Sequence, residues 1–180
     1  DVNYCYLCDK EQQDRLRERG EDPADILDKY IAVNNAITAD RPADLHVTTH
    51  MCRGNFQSAW MAEGGYDSVA EKMLNEVDVD GFFMEYDSDR AGGFEPLRFL
   101  PKGKIVVLGL ISSKLAELED KDAIKRRIDE AAQFAPLDQL CLSPQCGFAS
   151  TYHGNKVTED DQRRKLELIV EIADEVWGTA

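Results

Sequence analysis

The chain has 180 residues, 43% of them hydrophobic, which suits a folded domain with a substantial core and excludes a disordered chain. Its formal net charge of −14 would repel a phosphate backbone or an anionic lipid surface, so small molecules or proteins are the expected partners, with no nucleic acid and no membrane. No apolar run reaches the roughly 18 residues of a membrane span, and no basic segment followed by an apolar one marks secretion, so a cytoplasmic setting is expected.

The chain opens on DVNYCYLCD without an initiator methionine, as if cut from something longer. Cys5 and Cys8 form a CxxC, but without a second pair they read as buried or incidental. Asp22-Pro23 supplies an N-cap and an N1 proline, and Ile26, Leu27, Tyr30, Ile31 and Asn34 then recur at helical spacing. LHVTTH (45–50) is the first strand candidate, and it runs into His50 and Cys52 within THMCRGNF. A short helix fits Ser68 to Glu76. DGFFMEYD (80–87) is the second strand and reaches Glu85 and Asp87; KIVVLGLI (104–111) is the third and ends at Ser112, Ser113 and Lys114. A helix over Lys121 to Phe134 precedes QLCLSPQC (139–146), which ends on Cys146 and carries Cys141 as an expected core residue. His46 and His153 lack comparable partners and read as surface or satisfied histidines. Thr158 with Asp161 resembles a capping box, and Leu166, Ile169, Val170, Ala173 and Trp177 are expected to form one apolar stripe against the core.

Strands alternating with helices indicate a parallel α/β sheet, and strand runs this continuous suggest burial on both faces. An open doubly wound sheet and half of a (β/α)8 TIM barrel compete; no GxGxxG or P-loop marks a nucleotide-binding turn, which counts against the first. With no repeat, low-complexity tract or linker, residues 1–180 read as a single domain or one contiguous piece of one.

In either architecture functional residues gather at the carboxyl ends of the strands. His50 and Cys52, two apart in extended chain, present both donors to the same side. Glu85 and Cys146 sit at two other strand ends, and the set His, Cys, Glu, Cys suits Zn²⁺. Donors split over three strands point to a catalytic site rather than a structural knuckle built from close cysteine pairs. Cys146 before Gly147 could instead be a small residue at a tight turn, and Glu85 could pair with Arg53 or Arg90. Neither alternative accounts for all four.

With HMCRGNF, FFMEYDS and LSPQCGF in this order, the chain resembles the carboxyl-terminal catalytic barrel of the cobalamin-independent methionine synthases, and more closely their shorter methionine synthase-like relatives. The similarity runs from Asp1 to the end. It implies a (β/α)8 barrel of which this chain supplies roughly the second half, a zinc ion on His50, Cys52, Glu85 and Cys146, and methyl transfer to homocysteine from 5-methyltetrahydrofolate. Glu85 is the ligand expected to yield to the incoming thiolate. Asp1 looks like the remnant of an acidic pair that holds the amino group of homocysteine. One departure stands out: where the family's synthases show a histidine in a DxHS-like segment, this chain has Ser112-Ser113-Lys114. Lys114 could protonate a leaving amine or bind an anionic group, which leaves the methyl donor open. Two rivals remain: an alkyltransferase with another thiol or donor, and a non-catalytic, zinc-stabilised half-barrel. A half-barrel alone exposes two sheet edges and is expected to pair with another chain, including a copy of itself.

Overall fold

A computed structural model describes residues 4–178, so Asp1 lies outside the described residues. The first helix, α1 (Lys10–Glu18), was not anticipated. It buries no residue and so lacks an apolar stripe; it rests on its Asp9 N-cap, which accepts from the Glu11 and Gln12 N–H groups, and on pairs such as Arg15–Glu11 one turn apart. The remaining elements follow the expected order: α2 (Pro23–Thr38), β1 (Thr48–Met51), α3 (Ala70–Glu76), β2 (Gly81–Glu85), β3 (Ile105–Ile111), α4 (Lys121–Ala131), β4 (Leu140–Pro144) and α5 (Glu159–Trp177). Asp22 caps α2 through the Ala24 N–H, and Leu27 and Ile31 carry its buried side. The first strand begins later than its apolar run suggests, because residues 45–47 lead into it as irregular chain.

The four strands pair in chain order, β1-β2-β3-β4, all parallel. A doubly wound sheet reverses its strand order at a switch point, and this sheet does not. Successive right-handed crossovers then put the helices on one side and leave the other concave, which is an α/β half-barrel.

The two faces differ in burial. Met51, Phe82, Met84, Val106, Leu108, Leu110 and Leu140 alternate toward the helices and join the core, together with Met73 and Leu74 of α3 and Ile124 and Ile128 of α4. The opposite face presents His50, Phe83, Val107 and Cys141 in one register row, and none of them belongs to that core. The continuous runs suggested burial on both faces; among the described residues only the helix-facing side is packed into the core, and His50, Phe83 and Cys141 on the concave side are half-buried. Cys141 is accordingly half-buried on the concave face rather than in the core. Cys5 and Cys8 are buried in the main core.

The apolar stripe of α5 is rotated from expectation. Lys165, Ile169 and Ile172 face inward, whereas Leu166 and Val170 are exposed. A lysine on the buried side hid the true periodicity. Its ammonium is satisfied by the Glu117 carbonyl at 2.6 Å and by both oxygens of Glu119 at 2.9 and 3.0 Å. No described helix is long and apolar enough to cross a membrane.

Candidate metal centre

Strand register builds the site. His50 is the third residue of β1, and the chain leaves the sheet two residues later, so Cys52 follows on the same side. Glu85 ends β2 opposite Gly109 of β3, and Cys146 lies just beyond β4. The donor atoms of His50, Cys52, Glu85 and Cys146 all lie within 4.8 Å of one another. His50 and Cys146 line a cleft of about 300 Å³ on the concave face, whose walls include Phe83 and Pro144.

Gly109 allows this convergence. A Cβ there would stand 2.7 Å from the Gln145 Cα and 3.0 Å from the Met84 carbonyl oxygen. A register shift between Gly109 and Ile111 sends the end of β4 across β3 and brings Cys146 toward β1.

The carboxylate of Glu85, fully buried, divides its two oxygens. Oε1 lies 3.5 Å from His50 Nε2 and accepts from the Arg53 N–H and Asn55 Nδ2, each at 3.3 Å. Oε2 accepts from Arg90 Nη2 at 2.9 Å. Pairing with Arg90 and facing the cysteine-histidine cluster therefore coexist on opposite oxygens. Arg53 meets Glu85 only through its backbone; its guanidinium lies 4.7 Å over the Tyr66 ring.

Arg90 Nη2 also donates to Asp87 Oδ1 at 2.9 Å, and Asp87 Oδ2 accepts from Lys114 Nζ at 2.9 Å. Lys114, Asp87, Arg90 and Glu85 thus form a buried row of two cations and two anions, with Lys114 at the end remote from the cluster. Burial opposes charge on Asp87, but Lys114 and Arg90 hold its carboxyl below the usual carboxylate range. Burial draws Lys114 below an ordinary lysine despite the neighbouring Asp87. Asp87, Asn55 and Gln145 had no assigned role in the sequence. The available signals were the strand-end position of Asp87 and the nearness of Asn55 and Gln145 to Cys52 and Cys146.

The donor set passes a test of fit for a divalent ion. Among the described residues His50 Nε2 is buried without a hydrogen-bond partner, a costly state for a polar nitrogen unless a ligand takes its lone pair. Around Zn²⁺ such donors sit roughly 3.3–3.8 Å apart, within reach of this cluster by small side-chain movements. The electrostatics agree. A hydrogen bond from Cys146 holds Cys52 down at about 3 against its burial, with help from His50 and the Gly54 and Asn55 N–H groups. Cys146, which keeps that shared proton, is pushed far up. At His50 burial opposes protonation, but Cys52 and Glu85 prevail and raise it to about 9. A concentration of negative charge that holds a proton on imidazole would also hold a cation.

Residues 13–175 match the family described as cobalamin-independent synthase, catalytic domain. Over 147 residues the chain is 59% identical to the uncharacterized protein YxjG of Bacillus subtilis (strain 168), covering 81% of this chain and 39% of that protein. It is 49% identical over 178 residues to the uncharacterized protein YxjH of the same organism, covering 98% and 47%. A crystal structure from Listeria monocytogenes, provisionally described as a vitamin-B12 independent methionine synthase, shares the fold with a TM-score of 0.73 at 36% identity, covering 98% of this chain and 46% of that one. The chain spans less than half the length of each of these relatives.

Proposed function

Because the chain belongs to the cobalamin-independent synthase catalytic-domain family, we propose that it carries the zinc half-site of a methyltransferase that alkylates a thiol, with homocysteine as acceptor and 5-methyltetrahydrofolate as donor. The observation that carries this reading is the convergence of His50, Cys52, Glu85 and Cys146 around His50 Nε2, which stands 3.5 Å from Glu85 Oε1 and among the described residues makes no hydrogen bond. Zinc, when bound there, would supply the charge that keeps a substrate thiol deprotonated near pH 7, where a free thiol of pKa about 8.5 is mostly protonated.

The protein's own groups divide the remaining work. Cys52 and Cys146 would hold the ion with soft donors, and His50 would complete the grip from β1. Glu85 is the donor whose place an incoming sulfur would take, since a carboxylate is the poorer match for a borderline ion. Lys114, tied to Asp87, would orient the methyl donor and deliver a proton to its leaving nitrogen; burial that weakens its hold on the proton suits that role. Asp1 would hold the amino group of the amino-acid substrate. A lysine in an ion pair, where the family's synthases show a histidine, favours as second reading the same thiol chemistry with a different methyl donor.

The test is metal analysis and turnover of the full-length protein. We expect about one zinc per chain, and reduced zinc content and thiol alkylation in Cys146→Ser. Equal zinc in both proteins would remove Cys146 from the ligand set. Methylation of homocysteine by methyltetrahydrofolate, assayed against other thiols and donors, separates the two readings.

A further inference from the structure

The hydrogen bonding of Arg90 is lopsided. Nη2 serves three acceptors, Glu85 Oε2 and Asp87 Oδ1 at 2.9 Å and Gln145 Oε1 at 3.3 Å. Nε and Nη1 of the same guanidinium are buried and, among the described residues, have no partner. The side chain is 3% exposed, so solvent does not satisfy them. Trp60 covers the group, its ring centroid 4.9 Å from Arg90 Cζ, which fixes the guanidinium without using a donor. Two idle donors on a buried cation are an expensive arrangement, and a guanidinium is shaped to meet a carboxylate with two parallel hydrogen bonds. Each of the two carboxylates already touching it, Glu85 and Asp87, uses only one.

We propose that Arg90 is a positioning residue for ligand exchange: when a substrate thiolate takes the place of Glu85 on the metal, Glu85 turns its freed Oε1 onto the unused donors of Arg90. The proposal rests on the zinc reading of the site. Among the described residues Glu85 Oε1 has only long contacts to protein donors, at 3.3 Å, so on leaving the metal this buried oxygen would lack a close donor even though Oε2 stays on Arg90. Two-point pairing with Arg90 removes that penalty. Asp87 and Gln145 also hold Nη2, so the guanidinium stays in place while the carboxylate rotates. Lysine at this position would keep the charge but not the fork of donors.

The experiment uses the full-length protein loaded with Co²⁺, whose visible spectrum reports the ligand set, titrated with homocysteine. In the wild type, homocysteine should add a sulfur-to-cobalt band. Arg90→Lys should retain cobalt, with its affinity measured by chelator competition changed by less than about threefold, yet need roughly tenfold or more homocysteine for the same spectral change. Cobalt-loaded Arg90→Lys that responds at the wild-type concentration overturns the proposal and leaves the zinc site standing. Loss of cobalt from folded Arg90→Lys also overturns it, because Arg90 would then be holding Glu85 on the metal. A wild type that binds no cobalt removes the zinc reading itself. A structure of the metal-loaded wild type with homocysteine decides without any variant: Glu85 paired through both oxygens with Arg90 is the expected result, and Glu85 still on the metal beside the substrate sulfur overturns it.

Discussion

At Glu85 a single carboxylate faces a cation on one side and a cluster of candidate metal donors on the other, which makes it sensitive to changes in either. The row from Lys114 through Asp87 and Arg90 is charge-balanced and buried, so removing one member leaves another unpaired. Asp87→Asn should cost about 3–5 kcal/mol of stability, measured by urea unfolding, because Lys114 and Arg90 lose their shared anion. A loss below 1 kcal/mol would mean that water pairs them instead. His50 and Cys146 both carry protons in the metal-free protein at pH 7, the one raised to about 9 and the other pushed far up. Metal must displace those protons, so loading at pH 7 should release about two of them and the apparent affinity should rise with pH. Calorimetry in buffers of different ionisation enthalpy counts the protons, and release near zero would contradict this donor set. The chemistry of these residues was readable from their types and spacing. The partners Asp87, Asn55 and Gln145 were not, since nothing in their spacing separates a buried polar residue from a solvated one.

Among the elements, β3 and β4 let Cys146 approach the candidate metal donors of β1 and β2, and α5 sets the flank. Gly109→Ala would force the Gln145 backbone away from the sheet and carry Cys146 with it. The expected result is a metal affinity lower by roughly tenfold or more, together with about 1–3 kcal/mol of lost stability from overpacking. Unchanged metal binding would show that the Cys146 loop adjusts freely. Helix α5 starts on a full capping box, with Thr158 Oγ1 accepting from the Asp161 N–H at 3.2 Å and Asp161 Oδ2 accepting from the Thr158 N–H at 2.9 Å. Thr158→Ala should cost about 1 kcal/mol. Hydrogen bonds from the Thr158 side chain and backbone, aided by Arg164, hold Asp161 down at about 2. Because this carboxyl is more acidic folded than unfolded, its contribution is complete above about pH 4 and disappears as pH falls toward 2. Acid titration of the unfolding midpoint should show that loss in the wild type and a smaller one in Asp161→Asn. Asp22-Pro23 and Thr158 announced their helices through local chemistry. Helix α1 and the inward face of α5 stayed hidden because charge pairs hold one and a buried lysine interrupts the other.

For the whole molecule, the decisive feature is the unequal cover of the two sheet faces. The helix-facing side is closed, while the concave side keeps His50, Phe83 and Cys141 partly open and β1 and β4 stand at the sheet edges. Val33 and Ile37 on α2, and Leu166 and Val170 on α5, are apolar residues exposed on helices flanking the sheet. We expect the 180-residue chain, prepared by itself, to bind a hydrophobic dye and to sediment as more than a monomer. A monomer that binds no dye at any concentration would show that the concave face closes on itself. The same geometry gives the site its character, since the candidate metal donors lie at the carboxyl ends of strands whose concave face the helices leave uncovered.

The residue order by itself determined the alternation of strands and helices, the helix caps and the presence of candidate metal donors at strand ends, because these depend on periodicity and side-chain type over a few neighbours. Only the tertiary structure decided that the strands pair in chain order, that Gly109 lets Cys146 approach His50, and that Glu85 divides its oxygens between Arg90 and the donor cluster. Those outcomes depend on backbone approaches and desolvation between segments up to 96 residues apart in number, from His50 to Cys146, and local pattern carries no record of such distances.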